Sequence, residues 1–200
     1  QVLPVVPLFH VNAWGLPYAC PLAGASLIFP GPALDGRSIF ELMDCQKVSS
    51  AWGVPTVWLG LQNEIAARGR NPTGFTSVII GGSAVPRSMI EVFEKSGVMV
   101  CHAWGMTEMS PIGTHGILSS YQEDKMTQTE KLDLKVRQGR RTFGVDLKIV
   151  DESGTIQPND GKSSGELYVR GNAVIKGYFR NEDATKAVMD SEGWFGTGDV

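Results

Sequence analysis

The chain has 200 residues, 42% hydrophobic and 20% charged, with a formal net charge of -3. That is enough chain for a sizeable core, in one domain or two small ones. The slight acidic balance gives no electrostatic reason to expect nucleic acid as a partner. No apolar run approaches the length needed to span a bilayer. The three cysteines, Cys20, Cys45 and Cys101, are scattered and lack metal-ligand spacing. The expected setting is therefore reducing and cytoplasmic, with a peripheral position at a membrane left open. The chain begins at Gln1 without an initiator Met or signal peptide and stops at Val200, just after "GWFGTGD". An excised piece of a longer protein is expected.

In chain order, 11–19 has helical spacing, with His10 and Trp14 four residues apart and so on one helix face. "ASLIFPG" (25–31) reads as a short buried strand ended by Pro30 and Gly31. "DGRSIFELMDCQKV" follows with Ile39, Leu42 and Met43 at helical spacing behind a plausible cap at Asp35. "SSAWGV" is strand-like, and "PTVWLGLQNEIAARG" is a helix with Pro55 in its first turn and Gly69 at its end. "TSVIIGG" is a strand, "PRSMIEVFEKSG" a helix and "VMVCHAWG" a strand. Such alternation predicts an α/β layer with a parallel or mixed sheet over 1–118. From 119 to 140 the chain turns polar and partly helical, a connector with little to bury. Over 141–200, "FGVDLKIVD", "SGELYVRG" and "NAVIKGYF" predict short antiparallel strands in a β-rich, barrel-like subdomain, with a helix capped at Asn181 or Asp183.

Several stretches carry candidate chemistry. "GKSS" (161–164) resembles the end of a phosphate loop, but position 156 is Ile where such a loop needs Gly, and strands flank it on both sides. It is read as a turn. "IIGGSAVP" (79–86) runs from a strand through paired glycines into a helix. It is either a tight turn or a place where a flat ring lies against bare backbone. In "HAWGMTEMSP" (102–111), Thr107 and Glu108 can cap and charge a helix start. They can equally supply a hydroxyl for phosphate and a carboxylate for Mg²⁺. "GWFGTGD" is a turn into a strand, or a carrier for Asp199, whose carboxylate could accept both ribose hydroxyls. On composition alone, Trp14 reads as core packing and His10 as a satisfied structural histidine.

Taken in order, "PLFHVNAWG", "WGVPT", "IIGGSAVP", "HAWGMTEMSP", "GELYVRGNAVIKGYF" and "GWFGTGD" resemble the adenylate-forming enzymes. Among these, the medium- and long-chain fatty acyl-CoA synthetases are most similar. The resemblance covers the whole chain and implies a fragment of the family's large N-terminal domain. It implies a ligase that joins a fatty acid to ATP as acyl-adenylate and then passes the acyl group to coenzyme A. Gly82, Ser83 and Ala84, with His102, Ala103, Trp104, Gly105, Met106 and Thr107, would form the nucleotide site, and Asp199 would bind the ribose. Thr107 and Glu108 are the implied catalytic pair, Glu108 being the Mg²⁺ ligand. His10, Trp14, Val54, Gly105 and Pro111 would line the acyl site, with Trp14 as its aromatic gate. Trp104 stands where the family usually has Tyr. The family's phosphate loop would precede Gln1, and its lysine-bearing C-terminal domain would follow Val200, so the fragment alone is expected to be inactive. An aryl- or amino-acid-activating ligase, or an inert nucleotide-binding piece, is the alternative. No nucleic-acid partner is implied, and a homodimer of the parent is compatible with the resemblance.

Overall fold

A computed structural model describes all 200 residues. The chain divides into two compact units, Gln1–Thr107 with Pro111–Arg140, and Glu108–Ser110 with Arg141–Val200.

The first unit is built on a sheet ordered β1-β2-β3-β4-β5-β6. Strands β1 (Val2–Pro4), β2 (Ser50–Gly53), β3 (Ser77–Ile80) and β4 (Met99–Gly105) run parallel, while β5 (Ile112–His115) returns antiparallel to β4. The short β6 (Arg140–Arg141) closes the order. Parallel neighbours require crossovers, and the helices supply them. α3 (Gly36–Gln46) precedes β2, α4 (Pro55–Arg68) links β2 to β3, and α5 (Arg87–Lys95) links β3 to β4. Helices cover the centre of this sheet, and there β3 is a nearly continuous apolar run, with Val78, Ile79 and Ile80 all buried. Val78, Ile80 and Val100 are fully buried against Ile39, Phe40, Met43, Trp58, Leu61, Ile90 and Phe93.

The helix ends follow the local chemistry expected from the sequence. Asp35 accepts a hydrogen bond from Ser38 N at 3.0 Å at the head of α3. α4 begins at Pro55 and ends at Gly69 in the left-handed region. The polar stretch after residue 119 forms α6 (Ser120–Lys125) and α7 (Gln128–Lys135), both opened by capping boxes. α7 buries Leu132 and Lys135, and Lys135 Nζ pairs with Glu94 Oε1 at 2.9 Å.

Three local expectations are corrected. The segment 25–31 forms no strand; Leu27 makes an isolated bridge to Val2 and the chain moves on to Pro30. Residues 11–19 are not one right-handed helix. α1 (Val11–Trp14) is a single turn wound the other way, with φ of 47°, 51°, 47° and 56°, and Gly15 separates it from α2 (Leu16–Leu22). Apolar spacing carries no sign of handedness, so the pattern misled here, and the argument placing His10 and Trp14 on one helix face fails with it. Third, 172–179 is irregular, because Ile175 N bonds Glu108 O at 2.9 Å instead of a ladder neighbour.

The second unit carries a four-stranded antiparallel sheet ordered β10-β9-β7-β8. Its strands are β7 (Val145–Val150), β8 (Ile156–Gln157), β9 (Glu166–Gly171) and β10 (Phe195–Gly196), with helix α8 (Glu182–Val188) capped by Asn181. The antiparallel pairing agrees with the alternation in the sequence, and the order runs from β10 at one edge to β8 at the other. "GKSS" lies in the connection from β8 to β9, where Asp160 accepts from Lys162 N and Ser163 N, an ordinary Asx turn.

Candidate functional site

In the first unit, the candidate residues gather at one end of the sheet. β2, β3 and β4 are parallel neighbours in register, so the residues after them emerge side by side at their carboxyl ends. Val54 follows β2, Gly81–Ala84 follow β3, and Trp104–Thr107 close or follow β4. In open α/β sheets this edge is where ligands bind.

Close backbone approach explains the paired glycines. A Cβ at Gly81 would stand 2.8 Å from Ala103 O and 3.2 Å from Trp14 Cη2. Gly82 has φ of +80°, and a Cβ there would lie 3.2 Å from Val54 Cγ1. The bare turn is therefore roofed by the Trp14 indole, which also packs on the small cluster of Ile79, Cys101 and Ala103 with Trp52. Gly82, Ser83 and Ala84 are themselves exposed. Trp14 thus reaches the β3–α5 turn from the left-handed turn α1. His10, just before that turn, is exposed.

β4 delivers the next candidates in two kinds of environment. His102 is 2% exposed, and its Nδ1 lies 3.1 Å from Val136 O, so Nδ1 is the protonated nitrogen. Burial holds its pKa below the ordinary histidine value, against the pull of its backbone partners. Ala103 is buried with it. These two contribute strand structure, whereas Trp104 and Met106 are half-buried and Gly105 and Thr107 exposed. A Cβ at Gly105 would run into Pro111 O and Ile112 Cα, where β4 meets β5 and the register shifts. Only glycine lets β5 fold back so closely. Pro111 therefore sits directly over Gly105. Thr107 opens a three-residue 3₁₀ turn, Thr107–Met109, and no α-helix follows it. The capping alternative for Thr107 and Glu108 loses its helix.

In the second unit, Glu108 is half-buried and held twice. Its backbone carbonyl accepts from Ile175 N at 2.9 Å, and its Oε1 accepts from the Tyr178 hydroxyl at 2.9 Å. Tyr178 is fixed in turn: its N–H donates to Thr185 Oγ1 at 2.9 Å, and its ring meets Phe195 edge-on. Burial and the neighbouring carboxylate push the Tyr178 hydroxyl pKa up, so it stays a donor. Asp199 is exposed, but its backbone is tied to β9: Leu167 N donates to Asp199 O at 2.8 Å, and Asp199 N to Thr197 Oγ1 at 3.1 Å. Trp194, next to β10, lies between Lys148 and Arg170 at 4.5 and 4.4 Å. Tyr178 was not singled out by the sequence, since nothing local marks a contact across 70 positions.

No group of three or more His, Cys, Asp or Glu side chains converges anywhere in the chain. A caged metal is thereby unsupported. A Mg²⁺ ion that takes one carboxylate and completes its shell with substrate phosphates and water fits Glu108, with the Thr107 hydroxyl next to it in sequence. No helix is long and apolar enough to cross a membrane.

A family model described as AMP-binding enzyme matches residues 1–179. The chain belongs to that family. This AMP-binding chain is 50% identical over 200 residues to a medium-chain-fatty-acid–CoA ligase of Ectopseudomonas oleovorans, covering all of this chain and 36% of that protein. It is 46% identical over 207 residues to a 3-methylmercaptopropionyl-CoA ligase of Ruegeria pomeroyi, again with 100% and 36% coverage. The AMP-binding chain thus spans about a third of the length of the curated relatives it matches. Among solved structures, the N-terminal domain of FACL13 from Mycobacterium tuberculosis superimposes with a TM-score of 0.81 at 24% identity, over 98% of this chain and 46% of that one. The fold is that of an adenylate-forming N-terminal domain.

Proposed function

We propose that the whole protein is an AMP-forming fatty acid–CoA ligase acting on a medium- or long-chain aliphatic acid. In the first step a carboxylate oxygen of the acid attacks the α-phosphorus of ATP and pyrophosphate leaves. In the second, the coenzyme A sulfur attacks the acyl carbon, gives up its proton and displaces AMP. The exposed Gly82–Ala84 turn, with Trp104 and Gly105, would receive the adenine, and Asp199 the ribose. His10, Trp14, Val54 and Pro111 would bound the acyl group. Thr107 would contact phosphate and Glu108 would hold Mg²⁺, which when bound neutralises charge on the phosphates. No side chain of this chain need act as a nucleophile; its work is to position two anions. A cytoplasmic location and a homodimer belong to the same reading.

One observation carries it best. Trp14 roofs the bare Gly81–Gly82 turn at the carboxyl ends of β2, β3 and β4, so an apolar ring borders the edge where a nucleotide would lie. The identity to a medium-chain ligase over all 200 residues supports the choice of acid. A short thioether acid is the second reading, favoured by the similarity to the 3-methylmercaptopropionyl-CoA ligase. ATP–pyrophosphate exchange by the whole protein should be stimulated by octanoate or palmitate above 3-methylmercaptopropionate, an aryl acid or an amino acid. Exchange driven by an amino acid alone would refute the proposal, and a preference for the thioether acid would replace the first reading with the second.

A further inference from the structure

We propose that Tyr178 is a positioning residue that orients the Glu108 carboxylate toward the metal. The inference rests on the reading of Glu108 as the Mg²⁺ ligand. A carboxylate on a short turn can rotate about three side-chain bonds, whereas Mg²⁺ demands near-octahedral geometry. Two bonds from one four-residue stretch remove that freedom. Ile175 N fixes the Glu108 backbone through its carbonyl, and the Tyr178 hydroxyl occupies Oε1 at 2.9 Å. One oxygen is thereby engaged and the other directed.

The clamp itself is braced. Thr185 Oγ1 accepts from Tyr178 N at 2.9 Å and donates to Asn181 O at 2.8 Å, tying the tyrosine to the start of α8. The Phe195 ring fixes the other side. This is why 172–179 leaves the β ladder: its backbone is used to hold Glu108.

The test is Tyr178→Phe in the whole protein, which removes one oxygen atom and keeps the ring. Loss of an outer partner of a metal ligand typically costs about 10–100-fold in metal affinity. Mn²⁺ binding, titrated by EPR with a non-hydrolysable ATP analogue, should weaken by about tenfold or more. The Mg²⁺ concentration for half-maximal exchange should rise in parallel, while the rate at saturating Mg²⁺ stays within a few-fold. Glu108→Gln is run beside it. If that variant binds Mn²⁺ like wild type, the assignment of Glu108 fails and this inference with it. If Glu108→Gln weakens Mn²⁺ and Tyr178→Phe does not, Tyr178 alone is overturned, and a lowered melting temperature would mark it as packing. Should Tyr178→Phe fail to fold, Thr185→Val, which removes the brace and keeps the phenol, should shift Mn²⁺ affinity in the same direction by less. No shift in that variant overturns the proposal.

Discussion

Glu108 and His102 lie six positions apart and behave oppositely. Glu108 sits on a 3₁₀ turn, and its one side-chain contact is with a neutral hydroxyl. Gln at that position keeps an oxygen for Tyr178, so Glu108→Gln should leave the melting temperature nearly unchanged. It should lower adenylation by the whole protein by about two powers of ten or more, the scale of losing one well-placed electrostatic group. An exchange rate near wild type at saturating Mg²⁺ would remove Glu108 from the chemistry. His102, by contrast, is walled in, and its depressed pKa makes it a stability group. The unfolded chain takes up this proton near pH 6.5, the folded chain only at lower pH. Stability is therefore fully retained above about pH 6.5 and falls as the pH drops through it, with a slope of at most about 1.4 kcal/mol per unit. Urea midpoints measured from neutral to mildly acid pH should show that slope, and His102→Gln should flatten it.

At the scale of elements, the left-handed turn Val11–Trp14 has a direct test. Asn12 is exposed, so replacing it disturbs no packing. In a right-handed helix Asn and Val have nearly equal propensity, and Asn12→Val would be neutral. At φ of 51° the branched side chain should cost about 1–2 kcal/mol, read as a lowered urea midpoint. Elements whose boundaries are written in local chemistry were legible in advance: Asp35, Pro55, Gly69 and Asn181 each mark an end through a bond or dihedral of their own. The turn at 11–14 was not, because its conformation is set by where Trp14 packs, on glycines almost seventy residues away. The same holds for 172–179, whose β-branched residues suggested a strand until Ile175 and Tyr178 found Glu108. The motif residues could be named from sequence, and the sheet order explains how Val54, Gly82 and Trp104 come to share an edge. The tyrosine behind Glu108 could not be named, since local pattern is silent on partners 70 positions off.

For the whole molecule, the 200 residues hold candidate contacts for adenine, ribose and metal, groups that change little during the reaction. In the proposed reaction, charge moves at the α-phosphorus and on the pyrophosphate. The phosphate loop and lysine that the resemblance implies for that work are not among these 200 residues. Losing one preorganised donor typically costs about 2.7–4 kcal/mol of transition-state stabilisation. The purified 200-residue chain should therefore bind ATP or AMP weakly and form no thioester with fatty acid, ATP and coenzyme A. Turnover by that chain would mean that the reacting groups lie among residues assigned other roles.

The second unit is not one stretch of chain. Glu108, Met109 and Ser110 belong to it although the residues on either side of them belong to the first. During synthesis these three leave the ribosome well before Ile175 and Tyr178 exist to receive them. The first sheet can pair β1 to β5 while the Glu108 carbonyl is still bonded to water. The turn that carries Glu108 therefore reaches its final bonding only after residues 175–178 have been made, and a chain ending before Ile175 should leave the Glu108 carbonyl and carboxylate without these two partners. A cut after Arg140 would have the complementary effect, giving a β-rich piece in which Ile175 N and the Tyr178 hydroxyl have both lost their acceptor.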